Sequence, residues 1–164
     1  MPNAVSFAVA DLGITFASMR PAAFLYDDFR VRVGDVMAYL WVAIGSALGG
    51  VARYWCSGIA ARLIGETFPW GTLFVNIFGS LIIGFFVALT GPEGRYIVDQ
   101  NMRLFVAVGL CGGYTTFSAF SLQTMVLMQE GEWLQASAYV GGSVVICLLA
   151  VYLGHVIATQ FSAL

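Results

Sequence analysis

The groups in this chain that could do chemistry are hydroxyls, one amide, one guanidinium and a pair of phenylalanines, and they fall inside apolar runs. Residues 109–121 read GLCGGYTTFSAFS. Gly109, Gly112 and Gly113 are poor helix formers, each costing about 1 kcal/mol relative to Ala. Thr115 and Thr116 follow directly. The cluster predicts a helix broken at Gly112–Thr116. Free carbonyls at membrane depth are tolerated only where they are buried in protein or line a cavity. Such carbonyls are hard oxygen ligands, suited to a small cation such as Na⁺. Gly109 and Gly113 also have the spacing of small residues at close helix contacts, so glycine alone leaves both readings open. Phe117 and Phe120 share one face of the helix that resumes after the break. A ring edge is weakly positive, so two edges on one face could border an anion. Two such rings could equally pack on lipid or core.

Three other segments carry polar groups at depth. Asn76, in GTLFVNIFGS (71–80), sits about a third of the way into an apolar run. An amide there needs partners, either another helix or a polar pathway. Arg53, in GGVARYW (49–55), is the one charge well inside a run. It either snorkels to the nearer interface or lines an anion vestibule. Tyr139, Ser143 and Cys147 recur at four-residue spacing, one stripe of a helix that serves as interhelical glue or as the wall of a polar track.

The elements that must position these groups are membrane spans. The 164 residues are 60% hydrophobic and 10% charged, with mean hydropathy +0.87. Soluble domains carry about 25% charged residues. From Met37 onward four apolar runs stand out: Ala38–Ala61, Trp70–Leu89, Leu104–Met128 and Trp133–Ala158. Each meets the roughly 20 residues needed to cross ~30 Å of hydrocarbon. Trp41, Trp70 and Trp133 lie near span ends, as an aromatic belt requires. The fold class is therefore an all-α, multi-pass membrane protein with four transmembrane helices. Residues 1–36 read as an N-terminal extension, disordered or upstream of an alternative start at Met37, and residues 37–164 as the membrane domain. With the extension, Arg20, Arg30, Arg32, Arg95 and Arg103 on one side against Arg62 on the other place both termini in the cytoplasm; from Met37 onward the count falls to two against one. A bias that small lets the protein insert both ways round.

Several function classes are excluded or disfavoured. A net charge of −2 provides no electrostatic footprint for nucleic acid. The three cysteines are far apart in apolar segments, and one histidine leaves a catalytic or metal centre little to work with, so an enzyme is not expected. The five acidic residues after Met37 (Glu66, Glu93, Asp99, Glu130 and Glu132) lie in loops or at span ends. A proton-coupled carrier usually keeps a carboxylate within the membrane. A small dual-topology multidrug/proton antiporter shares the size and span count but needs that glutamate. A non-transporting membrane assembly protein, in which Gly and Asn only pack helices, is the other alternative.

GGVARYW, GTLFVNIFGS and GLCGGYTTFSAFS, followed by AYVGGSVV (138–145), resemble in this order the Fluc (CrcB) family of fluoride channels. The resemblance covers about Tyr39 to Gly154. It implies an antiparallel, dual-topology homodimer in the plasma (inner) membrane with two fluoride pathways, acting as a passive channel that exports cytoplasmic F⁻ and lowers its toxicity. It places Asn76, Phe117 and Phe120 on the fluoride path, with Ser118 and Thr116 as further donors and Tyr139 and Ser143 as the fourth-span track. Arg53 falls in the vestibule. The backbone carbonyls of Gly112 and Thr115, from both subunits, would hold a structural Na⁺ at the dimer interface. Three positions depart from the family pattern: Ala119 replaces a hydroxyl, Cys147 stands where serine often continues the track, and Phe74 where smaller residues are usual.

Overall fold

The computed structural model describes residues 36–91 and 94–163. The expected extension lies outside the described residues except for Val36, which already belongs to the first helix. Pro92 and Glu93 of the second loop also lie outside them. Among the described residues every regular element is helical. In order they are α1 (Val36–Ile64), α2 (Trp70–Thr90), α3 (Gln100–Arg103), a π-helical stretch (Leu104–Cys111), α4 (Gly112–Tyr114), α5 (Phe117–Gln129) and α6 (Trp133–Ala163). Four of these units are long and apolar enough to span: α1, α2, the composite Gln100–Gln129 and α6. The four expected spans are present, each a few residues longer at one or both ends except at Trp70 and Trp133.

The span ends follow local chemistry. After α1, Gly65 adopts φ 102°, the left-handed region that glycine enters without a Cβ penalty. Asp99 caps α3 by accepting the Met102 N–H at 3.3 Å. The tight turn QEGE is a Schellman ending. Glu132 N–H bonds Leu127 O at 2.9 Å and Gly131 N–H bonds Met128 O at 3.1 Å, with Gly131 at φ 82°.

Side chains on the outer faces are large and apolar. Leu48, Val51 and Trp55 of α1 and Leu134, Leu148 and Leu149 of α6 are exposed, as lipid-facing residues are. Helices in lipid gain nothing from simple hydrophobic burial, so contact rests on close backbone approach. Two glycine seams provide it. Along the first, α1 meets the π-helical stretch and α4. A Cβ on Gly45 would stand 2.9 Å from Gly109 Cα, and one on Gly113 would stand 2.8 Å from Ser46 Cα. Along the second, α2 meets α6. A Cβ on Gly84 would collide with Val151 O, and one on Gly154 with Leu81 O. A small apolar core closes one end of the bundle, where Leu73, Phe120, Leu127, Ala136 and Tyr139 pack together.

The second seam is directly testable. Gly154→Ala forces α2 and α6 apart, and overpacking of this kind costs about 1–3 kcal/mol. Gly141→Ala, where a Cβ meets nothing within 4 Å, is the control. The expected outcome is a thermal midpoint in detergent several degrees lower for Gly154→Ala and unchanged or slightly higher for Gly141→Ala, read by size-exclusion after heating.

Candidate functional site

The third span opens at two residues. Thr115 (φ −82°, ψ 160°) and Thr116 (φ −153°, ψ 123°) are extended between helical neighbours. The break is narrower than the expected Gly112–Thr116, because Gly112–Tyr114 keep helical geometry. The reason lies in the division of labour between residue types. Gly109 and Gly113 serve the contact with α1, while the threonines and Asn76 offer the backbone alternative partners. Both readings of the glycine-threonine cluster therefore hold, on different residues.

Asn76 is the hinge of this arrangement. Its Oδ1 accepts the Thr116 N–H at 2.8 Å, and its Nδ2 donates to Thr116 O at 3.0 Å. The side-chain amide thus closes a two-bond ring on the Thr116 backbone, as a neighbouring peptide group would. Cys111 O accepts from both the N–H and the hydroxyl of Thr115, each at 2.9 Å. The Thr116 hydroxyl caps α5 by accepting the Ala119 N–H at 3.2 Å, and it shares a 3.1 Å hydrogen bond with Ser118 Oγ.

These bonds have a consequence for two carbonyls. Gly112 O loses its helical donor, the Thr116 N–H, to Asn76. Thr115 O loses the Ala119 N–H to the Thr116 hydroxyl. Arg53 Nη1 approaches Thr115 O at 3.5 Å, long for a hydrogen bond, and a carbonyl keeps a second lone pair. Each of the two is a hard oxygen, the ligand type that a small cation takes. Thr115 is also fixed from α2: a Cβ on Gly79 would collide with the Thr115 methyl group.

Beside the break lies a cavity of about 330 Å³. Asn76, Ser80, Gly112, Thr115 and Thr116 supply its polar wall, and Phe117, Phe120 and Ile83 its apolar one. From α6 come Ser143 and Cys147. Ser143 is 6% exposed, and its Oγ is buried without a hydrogen-bond partner. Buried hydroxyls are normally satisfied by protein or ordered water. This one has no such partner among the described residues.

Not every expected residue reaches the cavity. Phe117 and Phe120 form a pair with ring centroids 5.3 Å apart, yet Phe117 is 77% exposed and Phe120 8%. Ser118 is exposed and Arg53 half-buried, and neither is among the residues that line the cavity. Tyr139 stands behind Phe120, with ring centroids 5.1 Å apart. Its hydroxyl donates to Gln123 Oε1 at 3.0 Å. Gln123 escaped the sequence reading, although an amide in an apolar run three residues after Phe120 carries the same signal as Asn76. Of the three departures, Ala119 is half-buried and contributes its backbone N–H to the cap. Phe74 stacks on Trp70 with centroids 6.0 Å apart, outside the lining. Cys147 is in the lining itself.

Fold and site define a small four-span membrane protein built around an interrupted helix. The family model described as CrcB-like protein, Camphor Resistance (CrcB), matches residues 40–155, and the chain belongs to that family. A fluoride-specific ion channel FluC of Methylocella silvestris is 57% identical over 126 residues, covering 77% of this chain and 96% of that protein. One of Rhodospirillum rubrum is 59% identical over 120 residues, covering 73% and 93%. A third, of Opitutus terrae, is 55% identical over 126 residues, covering 77% and 96%.

The Asn76 ring makes a graded prediction. Asn76→Leu strands a peptide N–H and C=O at membrane depth, where leaving a buried group unpaired costs about 1–3 kcal/mol. Asn76→Asp keeps the acceptor for the Thr116 N–H and sets a carboxylate oxygen against Thr116 O. Both variants are expected to lower the thermal midpoint in detergent, measured by size-exclusion after heating, with Asn76→Ser (unable to close the ring) no better than either.

Proposed function

We propose that this chain is a fluoride-selective passive channel that lets cytoplasmic F⁻ leave the cell. The observation that carries the reading is the break at Thr115–Thr116, held open by Asn76 beside a cavity with an unpartnered Ser143 hydroxyl. The relatives named fluoride-specific ion channels support the choice of ion. Fluoride is small and strongly hydrated, so a path must replace its water with donors. Asn76 retains an N–H beyond the one given to Thr116 O; the Thr116–Ser118 hydroxyl pair keeps one O–H beyond its mutual bond, and the Ser143 hydroxyl and the edges of Phe117 and Phe120 extend the series. Tyr139, whose hydroxyl is given to Gln123, backs the track from behind Phe120. An inside-negative membrane potential favours the outward movement of an anion by about 2.3 kcal/mol per 100 mV, so export needs no coupled ion.

In this reading two copies assemble as an antiparallel homodimer, with two pathways near the interface. The weak charge bias from Met37 onward fits insertion in both orientations. The Gly112 and Thr115 carbonyls of both copies would hold a Na⁺ ion at that interface. When bound, the ion supplies a buried positive charge shared by the two subunits. The freeing of these two carbonyls from the helix ladder supports the assignment. Arg53, half-buried on α1, serves as the positive charge of the vestibule and not of the narrow path, where a full charge would bind fluoride too tightly for fast release.

Liposomes loaded with fluoride and given a K⁺ ionophore test the proposal through a fluoride electrode. Rapid F⁻ efflux with no matching Cl⁻ efflux is expected. No F⁻ efflux, or equal efflux of both anions, contradicts it. The double variant Phe117→Ile, Phe120→Ile is expected to lose flux while eluting as a folded dimer; full flux in that variant removes the role given to the rings.

A further inference from the structure

The cavity holds a group that fluoride conduction does not require. Cys147 is a free, half-buried thiol on α6 and lines the cavity. It lies one helical turn after Ser143, on the same face. Ser143 Oγ is the unpartnered buried hydroxyl of this cavity, which marks the α6 wall as a place for a small polar occupant. Ser143 and Cys147 line the same cavity. The other cysteines are placed differently. Cys111 also lines the cavity but is only 4% exposed. Cys56 is on α1, outside the lining.

We propose that Cys147 is a covalent modification site inside the conduction path, open to small neutral thiol-directed electrophiles, and that capping it closes the path reversibly. The inference rests on the fluoride-channel reading. With methyl methanethiosulfonate, the Cys147 thiolate attacks the methylthio sulfur. A Cys147–S–S–CH₃ bond forms as the S–SO₂ bond breaks. Methanesulfinate leaves with the electron pair, and the thiol proton passes to buffer. The thiol is oxidised to the disulfide level, and the thiosulfonate is the oxidant. A reducing thiol such as dithiothreitol reverses the step by exchange. The methylthio group replaces a small S–H with an apolar projection next to Ser143. It thereby narrows the path and removes a polar group from the wall.

Fluoride efflux from liposomes provides the test, before and after treatment with methyl methanethiosulfonate. Labelling of Cys147 is read in parallel by mass spectrometry of the full chain. The expected result is a several-fold loss of flux that tracks labelling and returns with dithiothreitol. Cys111→Ser should remain sensitive. Cys147→Ser and Cys147→Ala should each keep their own untreated rate after exposure to the reagent. The proposal fails if Cys147 is not labelled in the folded protein, if full labelling leaves flux unchanged, or if whichever Cys147 variant conducts is inhibited as strongly as the original chain. Absence of efflux before any treatment would instead sink the channel reading, and this inference with it.

Discussion

Everything distinctive about this chain depends on the backbone of one residue at membrane depth, the N–H and C=O of Thr116. A span in lipid must satisfy its own N–H and C=O groups, and a helix does so four residues at a time. Here Asn76, from the neighbouring span, takes over both the N–H and the C=O of Thr116. With that duty moved to a side chain, the third span can be extended at two residues and still leave little unpaired. The Thr115 and Thr116 hydroxyls complete the exchange through Cys111 O and the Ala119 N–H. The break is consequently a paired structure and not a weak point in the helix.

The rest of the bundle serves to hold that geometry. The glycine seam between α1 and the third span brings two backbones into contact directly before the break. The seam between α2 and α6 fixes Asn76 and Ser143 on adjacent walls of the cavity. Gly79 on α2 leaves room for the Thr115 methyl group. The carbonyls released at Gly112 and Thr115 follow from the hydrogen bonds made elsewhere. The proposed cation site and the proposed anion path are thus two products of one local rearrangement.

Much of this was legible in the sequence, because membrane spans are written in hydropathy and length. The four runs, the break in GLCGGYTTFSAFS and the importance of Asn76 follow from costs that apply to any apolar solvent. Three features were not legible. The π-helical stretch Leu104–Cys111 has no local signal, since LFVAVGLC would sit equally well in an ordinary helix. The partner of Asn76 lies forty residues away, and spacing within a span says nothing about contacts between spans. Glycine carries two meanings, close approach and helix breaking, and only the third dimension assigns Gly109 and Gly113 to the first. Tyr139 shows the converse. Its place in a polar stripe is real, but the bundle turns its hydroxyl toward Gln123, away from the cavity lining.

The central claim is that a helix break braced by Asn76 makes a path for one anion. A planar bilayer containing the purified protein, with fluoride on one side and chloride on the other, tests it most directly through the reversal potential. The account predicts a current whose reversal follows the fluoride gradient and is unmoved when the chloride concentration changes. A reversal potential that shifts with chloride, or a protein that incorporates and carries no fluoride current, would contradict it.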